Sequence, residues 1–122
     1  MFSNLFLSGK SIVLVSLFLF SLQANAVGHV RDATISSVYC GYQDVHNMCS
    51  ITFDKAIVDK DACHTINVDR MQFRGDGSMG GALLSIALAA QATQQKVHIY
   101  STGKCTIYNG LADINFITIT NK

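Results

Sequence analysis

Four cysteines (Cys40, Cys49, Cys63, Cys105) and four histidines (His29, His46, His64, His98) are the residues of this 122-residue chain best suited to chemistry. A zinc site usually announces itself through closely spaced thiolate or imidazole pairs. Here no C-x-x-C occurs, and no two histidines stand at H-x-H or i,i+4 spacing. No metal site is expected. Nucleophilic catalysis has no better support, because G-x-S-x-G and H-E-x-x-H are both missing. The acidic residues are eight Asp and no Glu, and a catalytic carboxylate pair among them cannot be recognised without geometry. No catalytic residue is assigned.

Two further patterns invite chemistry and carry little. Arg74-Gly75-Asp76 spells an integrin-type tripeptide, yet a loop ahead of a helix favours Gly and Asp on its own account. Gly75, Gly77, Gly80 and Gly81 resemble a phosphate cradle, but no Gly-Lys-Ser/Thr follows them. No cofactor is expected. Lys+Arg 9 against Asp+Glu 8 leaves a net charge of +1, which lacks the concentrated basic surface that nucleic acid requires.

The first 26 residues read as an export leader. Lys10 supplies the positive charge, residues 11–22 form an uncharged, mostly apolar stretch, and Ala24-Asn25-Ala26 places small residues at the cut. Twelve helical residues cover about 18 Å, short of a hydrocarbon core about 30 Å thick, so the stretch is not a spanning helix. Cleavage after Ala26 leaves residues 27–122 as one domain with no further membrane span. The protein is then periplasmic or secreted. Its charges balance, with eight Lys and Arg against eight Asp.

A domain of this size is marginal unless stapled. In an exported chain an even number of cysteines reads as two disulfides. Residues 33–42 and 48–58 are β-branched and aromatic around a turn-like 43–47, which predicts a hairpin. Residues 64–73 form a third strand, followed by a loop at 74–78. Residues 82–92 are rich in Ala and Leu and form a helix, with Ser78 as N-cap and an end near Gln94 or Gln95. Strands follow at 97–100, 105–108 and 114–120, the last with a bulge between Phe116 and Ile117 where the apolar phase changes.

The order is β-β-β-α-β-β with the second half open to a further split. It fits a mainly β (α+β) domain built as an OB-like five-stranded Greek-key barrel, with an open α+β sheet as the alternative. Of the three possible pairings, Cys40 with Cys49 suits the hairpin, and Cys63 with Cys105 joins the strands on either side of the helix. The helix has a surplus of apolar positions. Leu83, Ile86, Ala87 and Ala90 make one face, while Leu84, Leu88 and Ala92 make another. Leu84 and Leu88 are therefore candidate interface residues, and a homo-oligomer is one outcome.

The text from Ala82 to Ala92, Lys96-Val97-His98-Ile99 and Thr102-Gly103-Lys104-Cys105 resembles small exported bacterial proteins related to the B subunits of subtilase-cytotoxin and pertussis-like AB toxins. Cys63 stands where that group has the earlier Cys that pairs with the one after the turn, and the similarity runs over residues 63–119. The resemblance implies an OB fold and a non-enzymatic binding role. Such B subunits bind sialylated glycans and form rings. No glycan-contacting residue carries over, because Ser36 and Ser37 stand in a different context. The expected function is an exported, non-enzymatic binding domain for a glycan or a protein. The alternative is a periplasmic structural or inhibitor-type protein.

Overall fold

The computed structural model describes residues 27–43 and 46–120; the expected leader at 1–26 and the tip of the first hairpin lie outside them. Along the chain run β1 (His29–Ala33), β2 (Ile35–Gln43), β3 (His46–Phe53), β4 (Arg70–Arg74), α1 (Gly77–Thr93), β5 (Lys96–Ser101) and β6 (Ile114–Thr120). They form two three-stranded antiparallel sheets, ordered β1-β5-β6 and β2-β3-β4. Among the described residues the protein is mostly β, with one helix and two disulfides. Disulfides of this kind belong to an oxidising compartment. Among the described residues no helix is long and apolar enough to cross a membrane.

The inward side chains of both sheets meet the helix. Ile35, Ile51, Phe53, Met71, Val97 and Ile99 are all at most 2% exposed and pack with Leu83, Ala87 and Ala90 of α1. The helix touches β2, β4 and β6. Its small residues serve that packing. A side chain at Gly80 would overlap the Arg74 carbonyl, so this glycine lets the first turn approach the end of β4.

Five features differ from the sequence expectation. The strand expected at 33–42 is β2, but an unexpected strand, β1, precedes it, separated by Thr34 and assigned to the other sheet. The cause is local. Asp32 has φ 50°, and the register shifts between Val30 and Ala33, so both residues point inward three positions apart. The third strand begins at Arg70 rather than residue 64, because Asn67 at φ 48° cannot continue an extended run. Ile66 and Val68 are consequently exposed.

The helix starts at Gly77, with Asp76 rather than Ser78 in the N-cap position. Its end does fall at Gln94, a left-handed residue whose N–H bonds back to Gln91. Residues 105–108 form no strand, since side chains rather than a neighbouring strand pair with their backbone. The bulge in β6 sits at Asn115, one residue before the expected place, where Tyr100 pairs with Phe116 but Ser101 with Ile114.

Candidate functional site

Along β3, Cys49, Ile51 and Phe53 face the core, so Met48, Ser50 and Thr52 face the other side of the sheet. Cross-strand pairing sets Tyr39, Ser50 and Gln72 in one row and Ser37, Thr52 and Arg70 in the next. An outer sheet face normally meets water. Here Ser50 and Gln72 are 2% and 0% exposed, because residues 104–113 fold across them.

That crossing segment is held by side chains from the sheet and the preceding loop. The Gln72 amide grips Tyr108 at two points: Tyr108 N–H donates to Oε1 at 3.1 Å, and Nε2 donates to the Tyr108 carbonyl at 3.2 Å. Nε2 also donates to the Leu111 carbonyl at 2.9 Å and to Asp113 Oδ1 at 3.0 Å. Asp113 in turn accepts from the Thr106 N–H and hydroxyl. A buried amide with every polar atom engaged is costly to remove and orients what it holds.

The loop before β4 is tied to the same segment. His64, 2% exposed, accepts the Ala112 N–H at Nδ1 (3.0 Å) and donates from Nε2 to the Asn67 carbonyl (2.9 Å). Those two bonds define a neutral Nε2–H tautomer in this arrangement. The Gly110 carbonyl accepts from Thr65 and Ile66, and its φ of +98° beside the Thr65 hydroxyl leaves no room for a side chain. The Cys63–Cys105 bridge closes the connection covalently.

Between these parts lies a cleft of about 300 Å³ lined by Tyr39, Met48, Ser50, Ile66, Asn67, Arg70, Tyr108 and Leu111. Tyr39 is 54% exposed and lies along its strand with its hydroxyl over Gly41, a position that a methyl there would block. Tyr108 is 37% exposed. Arg70, in the same lining, donates through Nε to Thr52 Oγ1 at 3.2 Å and has no acidic partner among the described residues. Its terminal nitrogens can therefore take a two-point bond from a carboxylate or phosphate. The tyrosine faces offer apolar contact with polar tips.

Two other clefts are less equipped. One, of about 320 Å³ beside the Cys40–Cys49 bridge, is lined by Tyr42, Met48 and Leu84 and holds no charged side chain. The other, of about 340 Å³ at the start of α1, contains Arg74 and Asp76, which neutralise one another in a two-point pair at 3.2 and 3.1 Å. Asp76, through its hydrogen bond first and its charge second, raises the Arg74 guanidinium above the ordinary arginine range. The Arg-Gly-Asp tripeptide thus spends its charges internally.

The sequence-derived candidates scatter. Cys40 bonds to Cys49 across the hairpin, directly opposite in register. His29 stacks on Tyr100 at 5.4 Å between ring centres, and His98 accepts the Asp32 N–H on the β1-β5-β6 sheet, far from His64 in the sequence and in another loop system. Leu84 packs partly on the core beside the hairpin bridge, whereas Leu88 is 47% exposed. Ser36 donates to the Thr52 carbonyl at 3.1 Å and does not line the cleft. Sequence reasoning missed Tyr39, Arg70, Gln72 and Tyr108. Gln72 carried a faint signal as a lone polar residue between Met71 and Phe73, but alternation alone assigns it to solvent. No protein-family model matches the chain, and no curated protein matches it either.

Proposed function

We propose that this protein is an exported, non-enzymatic domain that binds a carboxylate-bearing glycan in the cleft of Tyr39, Arg70 and Tyr108. The observation that carries this reading is an arginine, without an acidic partner among the described residues, that lines the same cleft as two exposed tyrosines. A pyranose ring has an apolar C–H face that lies against an aromatic ring, and an acidic substituent finds the guanidinium. The sequence resemblance to AB-toxin B subunits points the same way.

The reading includes an OB-like barrel. Thr34 alone separates β1 from β2, so counting them as one bent strand restores five strands in the order β-β-β-α-β-β. A parallel bridge between Gln72 and Asp113 links the two sheets on the far side. OB folds bind oligosaccharides on the face of their second and third strands with the adjoining loops. In this chain that face is β3 and β4 beneath residues 104–113.

The test is titration of a sialylated oligosaccharide and its asialo counterpart against wild type and Arg70→Ala. Wild type should prefer the acidic sugar, and Arg70→Ala should lose about tenfold to hundredfold in affinity for it, matching roughly 1.5–3 kcal/mol for hydrogen bonds to a charged group. Its unfolding midpoint should stay near wild type, since Arg70 gives only one side-chain bond to the fold. Equal affinity for the two sugars, or unchanged affinity in Arg70→Ala, would sink the proposal.

A second reading, a protein-binding or self-associating domain, draws on α1. Leu88 stands 47% exposed among exposed Gly81, Ser85 and Ala92 on one helix face, where small side chains allow close backbone approach. Under this reading Leu88→Asp weakens self-association about tenfold or more, from the roughly 1.5–3 kcal/mol of burying one leucine. Sedimentation velocity reads the change, and circular dichroism should remain native because Leu88 lies outside the core. A wild type that stays monomeric at high micromolar concentration rejects self-association.

A further inference from the structure

Asp61 is a buried carboxylate at 9% exposure, and its partners are neutral. The Gly28 N–H donates to Oδ1 at 3.2 Å, and the Ser101 hydroxyl donates to Oδ2. Among the described residues no cation pairs with it. Buried charges in folded proteins are ordinarily paired with an opposite charge. The surroundings hold Gly28 against this group. Ser101 N–H bonds the Gly28 carbonyl at 2.8 Å, Gly103 N–H bonds the Ser101 hydroxyl at 3.1 Å, and a side chain at Gly28 would collide with Asp61 itself.

Val27, one residue upstream of that bond, is the first residue after the expected cut at Ala26. Consecutive backbone nitrogens lie at most about 3.6 Å apart, so the Val27 nitrogen is within about 7 Å of Asp61 Oδ1. In the uncut chain that nitrogen is a neutral amide. Cleavage hydrolyses the Ala26–Val27 peptide bond: water adds across it, the hydroxyl goes to the Ala26 carbonyl carbon, and the nitrogen leaves as an amine that is protonated at neutral pH.

We propose that Asp61 is the acceptor site for the new α-ammonium of Val27, so that leader removal creates the cation missing from this buried pocket and locks β1 into its sheet. The inference rests on the cut after Ala26 and is independent of the glycan reading. The unprocessed chain retains an uncompensated buried charge and is the looser form. The processed chain gains a charge-assisted contact that only a chain beginning at Val27 can make.

The experiment uses the full chain exported behind its own leader, and the same chain with Gly-Ser inserted after Ala26, each also carrying Asp61→Asn. Intact mass should give a product beginning at Val27 for the first and at the inserted Gly for the second. In the Asp61 background the insertion should lower the folding equilibrium constant about tenfold in urea titrations (about 1.4 kcal/mol). In the Asp61→Asn background it should change by less than about twofold. Should Asp61→Asn fail to fold, amine acetylation near neutral pH decides instead, with Val27 reacting several-fold more slowly than the inserted Gly. A product starting elsewhere, an insertion without effect on stability, an equal loss in both backgrounds, or equal acetylation rates would overturn the proposal.

Discussion

Gln72→Leu should cost about 2–4 kcal/mol of stability, read as a lower urea midpoint at unchanged slope. The substitution preserves volume approximately and leaves the core face of β4 alone, so the loss isolates the amide. Four hydrogen bonds from one side chain disappear, to Tyr108 N–H, the Tyr108 and Leu111 carbonyls and Asp113. A buried polar group left without a partner costs about 1–3 kcal/mol, and the exposure of Tyr108 discounts its share. Against a total stability of about 5–15 kcal/mol this is a large fraction. Sugar affinity should fall with it, because Tyr108 owes its place over the sheet to this clamp. A midpoint shift worth less than about 0.5 kcal/mol would show that Gln72 does not hold the segment.

Removing the Cys63–Cys105 bridge by paired Ser substitutions should cost about 4 kcal/mol by loop-closure entropy, since the two residues are 42 apart. Removing Cys40–Cys49, nine apart, should cost about 2.7 kcal/mol on the same account. The hairpin bridge also joins residues that the sheet already pairs directly, whereas the long bridge joins two irregular segments. The longer one therefore has more to constrain in the unfolded chain and more to organise in the folded one. Urea unfolding of the two double variants gives the order, and proteolysis of residues 104–113 should accelerate only when the long bridge is absent. A larger loss from the hairpin pair would reject the argument.

Both expectations concern the same irregular segment, and this is where the sequence misleads. Cys105-Thr106-Ile107-Tyr108 has strand composition, yet it meets no strand partner. Its backbone groups are taken by Gln72, 36 positions from Tyr108, and by Asp113, seven positions from Thr106. Residues 64–69 fail for a related reason: Asn67 is left-handed, His64 holds its carbonyl, and the Thr65 and Ile66 N–H groups go to the distant Gly110 carbonyl. Composition reports what a residue prefers, and a distant side chain can outcompete that preference.

What the residues determined on their own was the β-rich character, the helix with its end at Gln94, the presence of a bulge in the last strand, and two disulfides. Each follows from local preference, from a short-range pattern, or from a cysteine count. Tertiary structure alone decided that β1 and β2 part at Thr34 into two sheets, that Gln72 faces a covering segment instead of water, and that Arg70 shares a cleft with Tyr39 and Tyr108. Those residues lie 31 and 38 positions from Arg70 in the chain. Their meeting depends on strand register and on how an irregular segment crosses the sheet. Neither quantity is written in the periodicity of any one element, because both are set by contacts between elements.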